Sequence, residues 1–264
     1  MSETKRITLY AAVDSPFPHR VRLALEEAKV KYDIIWIDLL NKPEWYEKKV
    51  YPNGGRVPLL VYGGPELHAD EAPAPSAAKL IESSVILEFL ADALPSARLL
   101  PGAPLARAHA RLFAHRVDAQ LLPAFVGFLF LRAPPAGVLG VLDALQAMLP
   151  RAEGEGEGEG AYVAGAWSIA DASVGPILVR WEMALETGLG TFTEEALQEA
   201  REAWASERFA RFRKYLEECK ARESWAKCYE EELVKEKMVQ RIERFRKTGI
   251  VSSDFRVPVP DAAE

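Results

Sequence analysis

The stretch SPFPHRVRLAL, residues 15–25, joins a helix start signal to an apolar helix face. Ser15 is a favourable N-cap residue, and Pro16 suits the first helical position because the amide hydrogen that proline lacks would be unpaired there. Considered alone, the stretch favours a capping role for Ser15 over contact with a substrate. The apolar positions of this helix are Phe17, Val21, Leu23, Ala24 and Leu25.

Strand and helix patterns alternate over the first 94 residues. Runs rich in β-branched and aromatic residues predict strands, and apolar residues at helical spacing predict helices. The resulting order, β-α-β-α-β-β-α, predicts a small mixed sheet covered by helices. Strands are predicted at 5–12, 31–39, 56–64 and 79–83, and helices at 16–29 and 83–94, with a short helical turn at 43–50.

Helical patterns alone follow the stretch at 95–104, which is rich in proline and small residues. Pro123 predicts a kink in the first of these helices, because proline cannot donate the helical hydrogen bond. A later helix begins with Ser168 as N-cap and Asp171 at the N3 position, which we interpret as a structural pair. Helices are predicted at 104–132, 138–149, 167–186 and within 193–247, a solvated loop at 153–160 (EGEGEGEG), and loose structure at 248–264.

These patterns predict an α+β protein with two domains. Residues 1–94 would form the domain with the sheet, 95–104 the linker, and 105–264 an all-helical domain. The length is sufficient for two modest domains with cores of their own.

The composition argues against several classes of function. The 264 residues are 49% hydrophobic and carry a formal net charge of -6, which does not favour binding to nucleic acid. No window approaches about 18 uninterrupted apolar residues, so no membrane span is predicted. The start, MSETKRITLYAAV, lacks the long apolar segment of a signal peptide, and we therefore expect a cytoplasmic protein.

Cysteine and histidine spacing predicts neither a disulfide framework nor a metal site. The two cysteines, Cys219 and Cys228, form no CxxC pair. The four histidines form no metal-binding motif, and His109 and His115 are not at a spacing that places them on one helix face. We therefore expect no metal.

Three features follow one another in the first domain, each at the junction of two predicted elements. Proline turns and helix starts are common, so each feature is weak alone. In this order, and with only helices behind them, they resemble the thioredoxin-like domain of glutathione transferases, which has a four-stranded sheet and precedes an all-helical domain. The features are Ser15, the pair Val57-Pro58, and the pair Glu82-Ser83.

The resemblance extends to the omega class of that family, and is greatest to its fungal type. SPFPHRVRLAL is similar to the omega-class first-helix motif, usually Cys-Pro-Phe followed by a helix that contains arginine. Two departures from the class are Ser15 in place of the usual cysteine and a stretch at 63–79 much longer than the usual tight turn. Other similar segments are NKPEWYEKK (41–49), RVPLL (56–60), IESSVILEFL (81–90), and the cap from Ser168 to Asp171.

The resemblance implies a site for glutathione, which would be the co-substrate. Val57, before a cis Pro58, would present its backbone to the cysteinyl part of glutathione. Glu82 would pair with the γ-glutamyl ammonium, and the Ser83 hydroxyl and the helix N-terminus would receive the carboxylate. Lys42 would pair with the glycyl carboxylate.

A hydrophobic electrophile would lie beside the glutathione thiol. The resemblance places it between Phe17 and the apolar face of the 104–132 helix. Phe125 and Phe128 on that helix, together with Trp181, are the candidate contacts.

Ser15 would act on the glutathione thiol rather than as a nucleophile, because the chain shows no Ser-His-Asp arrangement. Its hydroxyl can donate a hydrogen bond that favours the thiolate, and so does the N-terminus of the first helix. Lowering the thiol pKa from about 8.5 by about two units needs about 2.7 kcal/mol. One charge-assisted hydrogen bond and a helix terminus can supply that free energy, so capping and activation are compatible roles.

The leading hypothesis is a serine-type, omega-like glutathione transferase that conjugates glutathione to hydrophobic electrophiles or reduces organic hydroperoxides. One alternative is a ligandin-type binding protein for aromatic metabolites with little turnover. Another is a scaffold that has kept the fold without catalysis. The resemblance also implies a homodimer, and neither nucleic acid nor membrane is an expected partner.

Overall fold

The computed structural model describes residues 5–52, 54–150 and 162–249. Its four-stranded sheet has the order β2-β1-β3-β4, with β1 parallel to β2 and antiparallel to β3, and with β3 antiparallel to β4. The mixed sheet predicted from the alternation of patterns is therefore confirmed. The strands are β1 (Ile7–Ala11), β2 (Asp33–Trp36), β3 (Leu59–Tyr62) and β4 (Ala78–Ile81).

The central strand β1 is buried along its whole length because both faces of the sheet are covered. Leu9 pairs with Leu60 of β3, and both side chains belong to the main core under the helices. The alternate residues Tyr10 and Leu59 point to the other face, as side chains of a strand do, and form a smaller core there. The long 63–79 stretch contributes Leu67 and Ala77 to this smaller core.

Two helices belong to the sheet-containing half, and eight follow it within the described residues. The four strands all precede α2, and from α3 onwards the regular elements are helical. The expected α+β class is confirmed. The helices are α1 (Pro16–Glu27), α2 (Ser83–Ala93), α3 (Pro104–Arg116), α4 (Leu122–Leu131), α5 (Pro135–Gln146), α6 (Ile169–Thr187), α7 (Glu194–Ala205), α8 (Ala210–Lys220), α9 (Glu223–Cys228) and α10 (Glu231–Thr248).

The central helix α6 starts with the predicted capping box. The Ser168 side chain accepts a backbone hydrogen bond, and Asp171 accepts from the Ser168 backbone N–H at 2.8 Å. Asp171 also accepts from the Val163 N–H at 3.0 Å and from the Tyr215 hydroxyl at 2.8 Å. These bonds connect the start of α6 to α8, so the structural interpretation of Asp171 is confirmed.

The predicted long helix at 104–132 is interrupted where Pro123 was expected to kink it. A π-helical turn, Val117–Leu121, separates α3 from α4 and precedes Pro123 by one residue. Proline has no N–H for the carbonyl four residues earlier, and the wider turn accommodates that missing bond. Two apolar residues of α3, Leu105 and Leu112, are 83% and 46% exposed.

Two sequence predictions lie outside the described residues: the acidic glycine loop at 153–160 and most of the 248–264 tail. The helical segment 193–247 is confirmed as α7 to α10 with a 3₁₀ turn, Glu207–Phe209, between α7 and α8. The domain limits at 94 and 105 stay a prediction. Within the part of the chain that the structure describes, none of the helices combines the length and apolarity that crossing a membrane requires.

Candidate functional site

A cavity of about 340 Å³ lies between the sheet-containing half and the helices that follow it. One wall consists of three chain turns, which lie after β1, before β3 and at the start of α2. The opposite wall consists of side chains from α4, α6 and α10. Four of the five residues that the resemblance assigns to glutathione binding lie on the first wall with Ser15: Val57, Pro58, Glu82 and Ser83.

Ser15 occupies the N-cap position of α1 in extended backbone conformation, with φ -80° and ψ 131°. Within the described residues its side chain makes no capping hydrogen bond, although its position is the predicted one. The capping function expected of the hydroxyl is therefore wrong. Ser15 is 5% exposed and lines the cavity beside Pro16 and Phe17, so its hydroxyl can serve a group bound there.

The Val57-Pro58 peptide bond is cis, as the resemblance implied. Val57 is buried and precedes β3, which begins at Leu59. The Tyr46 hydroxyl donates to the carbonyl of Arg56 at 2.6 Å and holds the chain just before this turn. The turn therefore brings Val57 and Pro58 to the cavity wall.

Glu82 and Ser83 lie where β4 passes into α2. Glu82 has φ 64° and ψ 115°, a left-handed conformation that is costly for a residue with a side chain and that recurs at functional sites. Ser83 is buried, and its Oγ accepts a hydrogen bond from Nη1 of Arg20 at 3.3 Å. The arrangement places a carboxylate and a helix N-terminus side by side at the cavity.

Lys42 is not among the residues that line the cavity. Its Nζ lies 3.0 Å from Oε1 of Glu47, and its side chain is only 10% exposed. Arg56 lines the cavity instead, directly before Val57. Sequence analysis did not single out Arg56, because a lone arginine before a strand carries no local signal.

The four predicted hydrophobic contacts divide into two pairs. Phe17 and Phe125 line the cavity on opposite walls. Phe128 and Trp181 are 0% and 1% exposed, with ring centroids 5.3 Å apart, and lie in the helical core rather than at the cavity. On the helical wall, further apolar lining that the sequence did not single out comes from Leu122, Val126, Leu129, Phe130 and Met238.

Three arginines reach this cavity from different helices: Arg20 of α1, Arg180 of α6 and Arg241 of α10. Arg20 Nη1 lies 2.7 Å from Oδ1 of Asp118 in the turn before α4. Arg180 donates through Nε to the carbonyl of Asp14 at 3.0 Å, and burial lowers its pKa to about 10.

The side chain of Asp14 has a partner of its own on α10. The guanidinium of Arg241 is ion-paired with Oδ2 of Asp14, the residue directly before Ser15. Both side chains are largely buried, 6% exposed for Asp14 and 12% for Arg241. The only sequence signal that could have indicated these arginines is the position of Arg180 within the otherwise apolar run of α6.

Neither cysteine takes part in this site. Cys219 and Cys228 are buried free thiols on α8 and α9, and neither lines the cavity. Burial raises the pKa of Cys228 to about 12 and that of Cys219 further, so both stay protonated thiols. Over the described ranges, with their gaps at 53 and 151–161, no group of three histidine, cysteine or acidic side chains is placed to hold a metal ion.

A thioredoxin-like sheet with a cis-proline strand, joined to helices that close a cavity over the start of the first helix, defines the class of this protein. The family model "Glutathione S-transferase, N-terminal domain" matches residues 14–93. The chain belongs to the glutathione transferase family, and its relatives support the omega class.

Comparison with solved structures supports this assignment over nearly the whole chain. Glutathione transferase Omega 2S from Trametes versicolor is 39% identical, with a TM-score of 0.82, and covers 91% of this chain and 99% of that one. A second structure of Omega 2S, in complex with 2,4-dihydroxybenzophenone, is 41% identical with a TM-score of 0.77 and covers 84% and 93%.

Among curated proteins, human glutathione S-transferase omega-2 is 35% identical over 106 residues. That match covers 40% of this chain and 38% of the human protein, so the chain spans about two fifths of this relative.

Proposed function

We propose that this protein is a serine-type glutathione transferase that activates the thiol of glutathione for transfer to hydrophobic electrophiles. The proposal rests on one observation above others. Ser15, Val57, Pro58, Glu82 and Ser83, which are far apart in sequence, line one wall of a single cavity, and apolar side chains line the opposite wall.

Glutathione would bind along the first wall through its ends and its backbone. The carboxylate of Glu82 pairs with the γ-glutamyl ammonium, and the N-terminus of α2 with the Ser83 hydroxyl receives the neighbouring carboxylate. The backbone of Val57 pairs with the cysteinyl residue in the manner of a β-strand. All three residues line the cavity, which supports these contacts.

The glycyl carboxylate has two candidate partners. Lys42 was predicted from the resemblance, and its ammonium is already paired with Glu47. Arg56 lines the cavity next to Val57 and has a guanidinium suited to a carboxylate. We propose that both cations attract the glycyl end and that Arg56 is the closer partner.

Ser15 would donate a hydrogen bond to the sulfur of bound glutathione. Because the side chain is not used to cap α1, the hydroxyl and the positive end of the helix can act on the same atom. Both favour the thiolate over the thiol and lower its pKa. Phe17 supplies the backbone N–H of this first turn, since Pro16 and Pro18 have none. In conjugation the thiolate attacks the electrophilic carbon, a C–S bond forms, and the leaving group departs with the bonding pair.

With an organic hydroperoxide, sulfur attacks the terminal peroxide oxygen and the O–O bond breaks. The alkoxide takes a proton and leaves as the alcohol. A second glutathione then displaces water from the oxidised sulfur and gives glutathione disulfide. The two electrons come from two glutathione thiols, so the protein needs no metal and no second nucleophile for this reaction.

The electrophile would bind between Phe17 and the side chains of α4 and α10. Phe125 lines this region. Phe128 and Trp181 are buried on α4 and α6 and would act only by keeping these helices in place. The Omega 2S structure with 2,4-dihydroxybenzophenone shows an aromatic ketone bound to a relative. We therefore propose aromatic electrophiles as the preferred class.

The test is steady-state conjugation of glutathione to a panel of aromatic electrophiles such as a chlorodinitrobenzene, together with calorimetry of glutathione binding. Saturable turnover with both substrates supports the transferase. Tight binding of aromatic compounds without turnover would favour the ligandin alternative. Absence of glutathione binding would leave a scaffold that has kept the fold.

A homodimer is part of the proposal, with the first domain of one subunit on the helices of the other. Ile81, Val85 and Leu112 are large apolar side chains that are 38%, 54% and 46% exposed on β4, α2 and α3. The bidentate pair of Arg111 with Glu88 joins α2 to α3 on this side. Light scattering should show a dimer at micromolar concentration, and a monomer would contradict the proposal.

A further inference from the structure

The last described helix, α10, lies against the loops that carry the active-site turn. Lys237, Arg241 and Arg244 are spaced by four and three residues, which places them on one face of the helix. Lys237 Nζ lies 3.2 Å from Oδ2 of Asp38, and Arg244 donates to the carbonyl of Leu40 at 2.7 Å. These contacts hold α10 on the loop after β2.

The contact made by Arg241 differs from the other two in its position and burial. Its partner Asp14 is the residue before Ser15, and both members of the pair line the cavity. Asp38 and Lys237 do not line it, and their side chains are 43% and 28% exposed. The Arg241–Asp14 pair therefore lies within the electrostatic environment of whatever group contacts Ser15.

A carboxylate at this position works against thiol activation. An uncompensated negative charge beside a thiol raises its pKa, because the thiolate would be a second negative charge in the same site. The Asp14 carboxylate is connected through one peptide unit to Ser15, the residue proposed to contact the sulfur. Some cation must balance Asp14 if the thiolate is to form easily.

Among the described residues, Arg241 is the ion-pair partner of the Asp14 carboxylate, and other charged or titratable groups also face the cavity. Arg180 bonds the Asp14 backbone carbonyl, and the Asp14 charge also acts on its guanidinium at longer range, whereas Arg20 is paired with Asp118. His19 contacts Arg180 at 3.4 Å and stays neutral because burial holds its pKa well below the usual value. The remaining groups are Tyr51, Arg56 and Glu82 at the cavity, and Tyr229 beside Arg180.

We propose that Arg241 is a positioning residue that neutralises Asp14, so that the thiol of glutathione bound at Ser15 ionises more easily. This inference rests on the proposed function of the site. It assigns the C-terminal helix a part in the chemistry of the first helix, beyond closing the cavity. Arg241 acts through Asp14 and needs no contact with glutathione itself.

The proposal predicts that substitutions of Arg241 and of Asp14 shift the thiol pKa of bound glutathione in opposite directions. Arg241→Gln removes the ion-pair partner of Asp14 and should raise the thiol pKa of bound glutathione by about one unit. Asp14→Asn leaves the Arg241 cation unpaired and should lower it. The double variant removes both charges and should return the thiol pKa close to that of the unmodified protein. A pair that only holds the fold together would shift the pKa in the same direction in both single variants.

The experiment measures the ultraviolet absorbance of the glutathione thiolate against pH in the complex of the 264-residue chain with glutathione, alongside the pH profile of conjugation. The variants are Arg241→Gln, Asp14→Asn, their combination and Arg241→Lys. Lys237→Gln is the matched control, since it breaks another ion pair of α10 away from the cavity. Thermal unfolding establishes that each variant is folded, and Arg241→Lys keeps the charge and should keep the thiol pKa.

Opposite shifts in the two single variants, near recovery in the double variant, and an unshifted Lys237→Gln support the proposal. Shifts in one direction, or a shift of equal size in Lys237→Gln, overturn it while leaving the transferase intact. An unmodified protein that binds no glutathione, or binds it with an unperturbed thiol, overturns the proposed function and this inference with it.

Discussion

The two walls of the cavity recognise their ligands in different ways. The wall formed by the β1–α1 turn, the cis-proline turn and the start of α2 presents the short side chains of Ser15 and Ser83, backbone groups and two carboxylates, those of Asp14 and Glu82. The wall formed by α4 and α10 presents apolar side chains such as Phe125 and Met238. Backbone groups fix one partner of constant structure, whereas apolar side chains accept many partners of similar shape. We infer that the first wall serves the common co-substrate and the second a varied electrophile.

Replacement of Ser15 tests the first wall where the largest effect is expected. Ser15→Ala should lower the rate of conjugation by about tenfold to a hundredfold, because one hydrogen bond to a charged group contributes about 1.5–3 kcal/mol. Glutathione affinity should change little, and the pH profile should move upward because the thiol pKa returns toward its reference value. Steady-state kinetics across pH measure this. A variant with full activity and an unshifted profile would reduce Ser15 to a structural residue.

Ser15→Cys tests the same position by replacing the hydroxyl with a thiol that can itself react with glutathione. A cysteine at a helix N-terminus has a lowered pKa and can form a mixed disulfide with glutathione. The variant should gain removal of glutathione from glutathionylated substrates and lose conjugation. The unmodified protein should show little of that activity, because Cys219 and Cys228 are buried away from the cavity. Strong thiol transfer by the unmodified protein would contradict the role given to Ser15.

Glu82 is the proposed charged anchor of the first wall. Glu82→Ala should weaken glutathione binding by more than about 1 kcal/mol, because a hydrogen bond to a charged group contributes about 1.5–3 kcal/mol. Calorimetry with glutathione measures the loss directly. Asp92→Ala is a control, since Asp92 is an exposed carboxylate on the same helix that does not line the cavity. Equal affinity in the two variants would place the γ-glutamyl end elsewhere.

Phe125 and Phe128 separate the second wall from the core behind it. Phe125→Leu should raise the KM for an aromatic electrophile several-fold and leave the affinity for glutathione unchanged, because only the aromatic contact is lost. Phe128→Leu should lower the melting temperature with a smaller effect on that KM, since Phe128 is fully buried against Trp181. If the two substitutions had the same kinetic effect, the distinction between lining and core would fail.

The two walls also differ in how far the sequence predicts them. Ser15, Val57 and Glu82 each follow or precede a strand, so local patterns place them at one end of the sheet. Arg241 meets Asp14 across 227 positions, and no local pattern contains information about such a contact. Sequence therefore predicted the polar wall and missed most of the side chains opposite it.

Helix faces show the same limit. The apolar spacing at 104–132 predicted a helix there, and α3 and α4 form. It could not predict which apolar residues are buried, because Leu105 and Leu112 repeat at helical spacing yet face outward. The choice between Phe125 at the cavity and Phe128 in the core likewise depends on how α4 packs against α6, which only the tertiary structure defines.

The smallest effects are expected at the glycyl end of glutathione, where the polar wall meets solvent. Arg56 is exposed, so its pairing with the glycyl carboxylate is weakened by water and salt. Arg56→Ala should raise the dissociation constant of glutathione about threefold at low salt, the scale of an exposed ion pair. Lys42→Ala should raise it less, because Lys42 already has Glu47 as its partner and lies outside the cavity lining. Titrations at two salt concentrations measure both, and the Arg56 effect should shrink at the higher one. A larger loss in Lys42→Ala would return the glycyl carboxylate to Lys42 and extend the polar wall beyond the cavity.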